Sequence, residues 1–303
     1  SWINLMEARV KIIECPRDAM QGLTEFIPTV EKIRYLNQLL QVGFDTIDFG
    51  SFVSAKAIPQ MRDTAEVLSQ LDWETSASKL LAIVANTRGA AEASAFDAIQ
   101  YLGFPLSISE TFQQRNTNKS IVGALNTLDE IQNLCQRTNK TLVTYISMGF
   151  GNPYNDPFNE QIVIEFVERV AAIGSTVVSL ADTIGISTPQ VIEKLFTSLV
   201  HQFPALEIGV HLHSTPATAY EKIEAAYRAG CRRFDGALKG FGGCPMAKDE
   251  LVGNLPTELL IDYLMAQGEK PGVNLEEFTK SLRLAGEIFP KHWKYYFHRI
   301  LAY

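Results

Sequence analysis

Short β-branched runs alternate with longer segments of helical period eight times between residues 10 and 267, and this rhythm constrains the fold more than any other feature of the chain. The runs at 10–14, 46–48, 80–85, 106–109, 141–147, 176–181, 207–213 and 233–238 read as strands, being rich in Val, Ile, Leu, Phe and Thr. The segments at 30–41, 58–71, 89–102, 120–137, 160–173, 189–202, 215–229 and 257–267 carry helical spacing. Several have start and stop signals, such as Thr188-Pro189 at one entry and Gly174 or Gly230 just past an exit. Strands that alternate with helices form a parallel sheet, and eight such units in order, joined by right-handed crossovers, close into a (β/α)8 TIM barrel. An open doubly wound sheet is the competing architecture, and the absence of any large break in the rhythm argues against it. The expected organisation is a catalytic barrel over residues 8–270 followed by a short C-terminal helical appendage over 271–303. That appendage ends in an aromatic tail at 292–298, read as packing on the barrel or on a second subunit, so a homodimer is one expectation.

Composition removes several function classes. With 303 residues, 46% hydrophobic and 20% charged, the chain can bury a full-sized core. A net charge of −7 supplies no basic field for nucleic acid or an anionic membrane. No apolar run approaches the roughly 20 residues a membrane helix needs. The opening residues lack the look of a signal or transit peptide. Cysteines 15, 135, 231 and 244 are scattered with no Cys-x-x-Cys, so a reduced, cytoplasmic protein without disulfides is expected.

In a barrel of this kind the reacting groups lie at the C-terminal ends of the strands and in the loops that follow. His211 and His213 close strand 7; strand alternation puts both imidazoles on one face, about 6–7 Å apart, where they can share a metal. Arg17 and Asp18 fall in the loop just past strand 1, where Pro16 ends regular structure. Asp48 ends strand 2, Asp182 follows strand 6, and the Gly-Phe-Gly-Gly-Cys244-Pro loop with Asn254 at its end follows strand 8. Closure makes strands 7, 8 and 1 neighbours, so the His pair, the Cys244 loop and the Arg17-Asp18 pair share one third of the mouth. Two imidazoles, the Asp18 carboxylate and the Asn254 amide oxygen make a mixed nitrogen and oxygen set suited to a divalent cation of the Mg or Mn kind, with Zn or Fe admissible. An arginine beside it can donate to a developing oxyanion. Cys244, between glycines and a proline, sits in a loop built to move. Glu14, Asp48 and Asp182, at strand ends on the same rim, read as carboxylates that orient ligands or face the substrate.

At these residues the chain resembles the 3-hydroxy-3-methylglutaryl-CoA lyase family, within the metal-dependent barrel group that includes isopropylmalate synthase and 4-hydroxy-2-oxovalerate aldolase. The resemblance is carried by Val-Lys-Ile-Ile-Glu14-Cys-Pro-Arg-Asp18, Ser51-Phe-Val-Ser-Ala-Lys-Ala-Ile-Pro-Gln-Met61, Ser179-Leu-Ala-Asp-Thr-Ile-Gly185, His211-Leu-His213, Gly240-Phe-Gly-Gly-Cys-Pro245 and Gly253-Asn254. It implies cleavage of 3-hydroxy-3-methylglutaryl-CoA, an acyl-CoA of leucine catabolism, to acetyl-CoA and acetoacetate. It further implies that Asp18, His211, His213 and Asn254 surround the cation, that Arg17 stabilises the enolate and that Cys244 is the mobile-loop acid. Ser51, in the second of those segments, joins Glu14, Asp48 and Asp182 as a substrate-side or supporting residue. The hydroxyl proton goes to Asp18 or to His211. The chain departs from the family pattern in Cys15-Pro16, where one more residue including a glycine is usual. It also departs in Ala19-Met20 for Gly-Leu, Asp48 for glutamate, Ser214 for aspartate, and 248–251 for small residues.

Two rivals stand beside this reading. One is a related aldolase or an acyl-CoA-using synthase acting on a 2-oxo acid; the regulatory domain of such a synthase is not expected in a chain ending at 303. The other is a barrel kept as a binding or scaffold protein, against which an intact metal set argues.

Overall fold

A computed structural model describes residues 9–243 and 252–289. Eight parallel strands close into a barrel in the order β1 (Lys11–Glu14), β2 (Thr46–Ser51), β3 (Lys79–Ile83), β4 (Ile99–Ser107), β5 (Thr141–Ser147), β6 (Val177–Ala181), β7 (Glu207–His211) and β9 (Arg233–Gly236). The seam is β1 on β9, with Ile13 opposite Asp235 and Glu14 opposite Gly236. The expected TIM barrel is therefore present, with helices on its outside.

Alternation along the strands sorts two populations of side chains. Leu80, Ala82 and Leu142 point outward into the large core beneath the helices, whereas Leu81, Ile83, Tyr101, Val143, Tyr145 and Val177 form a separate cluster inside the barrel. On the opposite wall the inward positions are polar: Lys11 and Arg233 both meet Glu207, at 2.6 and 3.3 Å. Gly209 on β7 leaves the room Arg233 needs, because a Cβ there would stand 2.7 Å from the Arg233 Cγ.

The outer helices begin where the sequence offers caps. The Asn86, Ser109, Ser120, Asn159 and Thr188 side chains accept from the backbone at the starts of α4 (Thr87–Ser94), α5 (Glu110–Thr117), α6 (Ile121–Arg137), α7 (Glu160–Ile173) and α8 (Pro189–Gln202). The remaining helices are α1 (Pro16–Gln21), α2 (Thr29–Leu39), α3 (Thr64–Leu68), α9 (Ala219–Arg228), α10 (Thr257–Ala266) and α11 (Leu275–Ile288). The described part of the C-terminal appendage is α11, which lies on α2. Gln38 donates to the Glu277 carbonyl at 3.1 Å, Phe44 meets Phe278 edge-on, and Tyr35 meets Phe289. The aromatic tail at 292–298 lies outside the described residues.

Five expectations are corrected. The helix read at 89–102 stops at Ser94, and the strand read at 106–109 begins at Ile99. β4 runs straight through Pro105, which stands opposite Tyr145 in the register with β5. The segment at 58–71 is a 3-10 turn at Pro59–Met61 followed by the short α3. Asp63, just before α3, and Thr64, its first residue, accept from Lys32 and from the Ser51 amide with their side chains, where a single continuous helix was expected. Arg17 and Asp18 do not lie in a loop, because Pro16 starts α1, where its fixed φ and missing N–H fit the first helical position. The strand read at 207–213 is divided: β7 ends at His211, and β8 (His213–Ser214) leaves the barrel to pair antiparallel with β10 (Gly253–Asn254).

Candidate active site

The mouth of the barrel is built from the backbone inward. Cys15, the last residue before α1, hands the chain from β1 into a helix whose first turn projects Arg17 and Asp18 over the rim. On the neighbouring wall β7 presents His211, and the β8–β10 pair sets Asn254 opposite His213. The two imidazole rings are 5.5 Å apart between centroids, so the shared face expected of the pair survives the break at Leu212. One ligand atom from each of Asp18, His211 and His213 falls within 4.8 Å of the others.

Each imidazole is held by its far nitrogen. His211 Nδ1 meets Asp235 Oδ2 at 2.9 Å while Nε2 faces Asp18 Oδ2 at 3.5 Å. His213 Nδ1 lies 3.1 Å from the Thr183 carbonyl, which requires Nδ1–H and leaves the Nε2 lone pair bare. That Nε2 is buried and has no hydrogen-bond partner among the described residues. A buried, unpartnered imidazole nitrogen facing a carboxylate and a second imidazole is what a cation ligand looks like, and the backbone or carboxylate grip on the other nitrogen is the usual support. Burial works against the Asp18 carboxylate, but His211 and Arg17 hold its pKa below the usual carboxylate range. Burial also opposes charge on His211, yet Asp18 and Asp235 push it up to about 10. His213 is held below its ordinary value by burial and by the charge on His211. The space between Asp18 and His211 is thus a place where positive charge is favoured. The donors present fit a divalent cation.

Arg17 is 9% exposed and forks onto Asp48, Nη2 to Oδ2 at 2.7 Å and Nε to Oδ1 at 3.1 Å. Its Nη1 lies 3.6 Å from Asp18 Oδ1 and also donates to Gln21, so one helix turn ties the arginine to the cation cluster. Asp48 is therefore the arginine's partner and does not join the cluster. Asn254 donates its amide nitrogen to Asp18 Oδ2 at 2.8 Å and to the Phe241 carbonyl at 2.7 Å, so nitrogen, not the expected oxygen, is what it turns to Asp18. Asp182 lies one step behind: it accepts from the Ile186 and Ser187 amides, both at 3.0 Å, and orders the loop that offers the Thr183 carbonyl to His213. Glu14 accepts from the Leu238 amide at 2.9 Å and the Thr257 hydroxyl at 2.5 Å. It thereby pins both feet of the segment from 238 to 257, and burial pushes its carboxyl well above the usual range. Ser51, the last residue of β2, donates its amide to Thr64 and accepts from the Val53 amide with its hydroxyl, and among the described residues it is not brought to the cluster. Cys244 lies outside the described residues.

Sequence reasoning missed two supporting groups. Asp235 sits in the middle of a strand that lines a packed barrel, and a carboxylate there costs heavily unless it has a partner; that position was the available signal. Lys222, on the inner face of α9, reaches the His213 carbonyl at 2.8 Å and Asp182 at 3.4 Å; an isolated lysine in a helix carries no such signal.

The HMGL-like family model matches residues 9–284. The chain belongs to this family, whose members named among its relatives are carbon–carbon lyases. It is 35% identical to a hydroxymethylglutaryl-CoA lyase of Bacillus subtilis over 279 residues, which is 91% of each chain. The crystal structure of the Bacillus subtilis HMG-CoA lyase superposes with a TM-score of 0.87 at 35% identity, covering 92% of this chain and 93% of that one. An HMG-CoA lyase from Acinetobacter baumannii in complex with coenzyme A and 3-methylmalate superposes with a TM-score of 0.83 at 30% identity over 92% and 91% of the two chains. The family is metal-dependent in general.

Proposed function

We propose that this chain cleaves 3-hydroxy-3-methylglutaryl-CoA to acetyl-CoA and acetoacetate. The observation that carries the reading is the bare His213 Nε2 facing Asp18 and His211 one helix turn from a forked Arg17, in a chain similar to lyases of that name over nine tenths of its length. The ligand set is Asp18, His211 and His213, with Asn254 adding its amide oxygen while its nitrogen steadies Asp18. When bound, a divalent cation of the Mg or Mn kind, with Zn or Fe admissible, polarises the substrate's oxygens.

The reaction breaks the bond between the tertiary carbinol carbon and the carbon next to the thioester. Asp18 or His211 takes the hydroxyl proton as the carbinol becomes a ketone. The bonding pair moves to the thioester oxygen as an enolate, and Arg17, held in place by Asp48, donates to that oxygen as its charge appears. Cys244 then delivers a proton to the enolate carbon, completing acetyl-CoA. Glu14, Asp182 and Asp48 keep the rim in register, and Ser51 lies at its edge. The Acinetobacter baumannii complex with coenzyme A supports an acyl-CoA as the substrate class. Cys15, Cys135 and Cys231 are free and buried, in keeping with a reduced cytoplasmic setting, and no described helix is long and apolar enough to cross a membrane. A homodimer completes the proposal.

The test is acetoacetate release from the hydroxymethylglutaryl thioester by manganese-loaded protein, run beside condensation of acetyl-CoA with a 2-oxo acid. Release in the first assay alone is expected. Loaded protein that releases no acetoacetate overturns the assignment.

A further inference from the structure

Behind His211, on the side away from Asp18, a second set of donors comes together. Cys15 Sγ, a His211 ring nitrogen and an Asp235 carboxylate oxygen lie within 4.8 Å of one another. Cys15 is fully buried, and among the described residues its thiol has one hydrogen-bond contact, at 3.6 Å to the Ile13 carbonyl in β1. Asp235, 2% exposed, commits Oδ2 to His211 Nδ1 and leaves Oδ1 buried with no donor among the described residues. The β1–β9 seam produces the arrangement: the register sets Ile13 opposite Asp235, and Cys15, two residues on and therefore on the same face, follows at the strand end, its amide bonded to the Gly236 carbonyl.

We propose that Cys15, His211 Nδ1 and Asp235 form a second cation site, for a borderline or soft divalent ion of the zinc class, sharing His211 with the first. Thiolate selects such ions over magnesium or calcium, and one thiolate and one carboxylate match a divalent charge, while His211, already turned to the first ion through Nε2, gives up its Nδ1 proton and bridges the two ions as an imidazolate. Tetrahedral zinc with sulfur at about 2.3 Å and nitrogen or oxygen at about 2.0–2.2 Å sets its ligand atoms roughly 3.3–3.7 Å apart. From separations of up to 4.8 Å the three donors therefore close by up to about 1.5 Å. Binding releases the Cys15 thiol proton and the proton shared by His211 and Asp235; nothing is oxidised or reduced. Occupancy takes from His211 the carboxylate hydrogen bond that orients it toward the first site and sets a second dication one imidazole away. The second ion consequently weakens binding of the first and inhibits the protein.

The site rests on the geometry of the barrel interior and not on the reaction. Cadmium, titrated into the manganese-loaded full chain, is the probe. The expected result is an ultraviolet thiolate-to-cadmium charge-transfer band that saturates at one equivalent, survives in Cys244→Ser and disappears in Cys15→Ser. No band in the wild type, or a band that persists in Cys15→Ser, overturns the proposal. Should Cys15→Ser fail to fold, cadmium NMR on the wild type decides: a resonance in the mixed sulfur, nitrogen and oxygen range supports the site, and resonances confined to nitrogen and oxygen ligation overturn it. The band reports the second site and acetoacetate release reports the reaction, so either can fail without the other.

Discussion

Arg17 illustrates how much one side chain's geometry decides. Three of its contacts, to Asp48, Gln21 and Asp18, are simultaneous, and only a planar fork can make them. Lysine retains the charge but loses the fork, so Arg17→Lys should lower kcat by at least ~100-fold, the scale of one lost oxyanion donor, with KM nearly unchanged. Steady-state kinetics on the thioester check this, and a loss confined to KM contradicts it. The two cysteines of the mouth divide differently. Cys15 is fully buried at the end of β1, and burial together with four nearby carboxylates pushes its thiol well above the ordinary range, so it is a poor proton donor. Cys15→Ser is therefore expected to change kcat little in magnesium or manganese, whereas Cys244→Ser should lose ~10²–10⁴ in rate, the usual worth of a positioned acid. Equal losses in the two variants would remove the acid role from Cys244.

Among the elements, the β6–α8 loop and α9 do the least visible work. Lys222 closes a buried pair with Asp182 and bonds the His213 carbonyl, so α9 braces the two-residue β8 that carries the imidazole. Removing one partner of a buried pair costs about 3–5 kcal/mol; Asp182 keeps the Ile186 and Ser187 donors, so Lys222→Met should lose about 3 kcal/mol in urea unfolding and bind manganese more weakly. Unchanged stability and affinity would show that β8 needs no brace. What was legible in the sequence follows element by element. The strands at 141–147 and 176–181 and the helices at 160–173 and 189–202 are long, periodic and well capped, and stand within a residue of their expected ends. β4 was obscured because Pro105 reads as a breaker, although the strand stays in register with β5 on both sides of it, from Tyr101 to Ser107. β8 was hidden because its partner, β10, is forty residues downstream, and pairing at that distance leaves no local period.

For the whole molecule, eight regular repeats and the closure rule were enough to bring β7, β9 and β1 together, and with them Asp18, His211 and His213. The rule places strand ends, not side-chain partners. Asp235 behind His211, the Asp48 fork and the Thr183 carbonyl on His213 depend on how each strand is rotated in the barrel, which no linear pattern records. The central claim is that this convergence is a cation site, and manganese binding followed by electron paramagnetic resonance tests it directly on wild type and His213→Ala. One tightly bound manganese per wild-type chain, with most of it lost in the folded variant, is the expected result. Stoichiometric, equally tight manganese in His213→Ala would contradict the account.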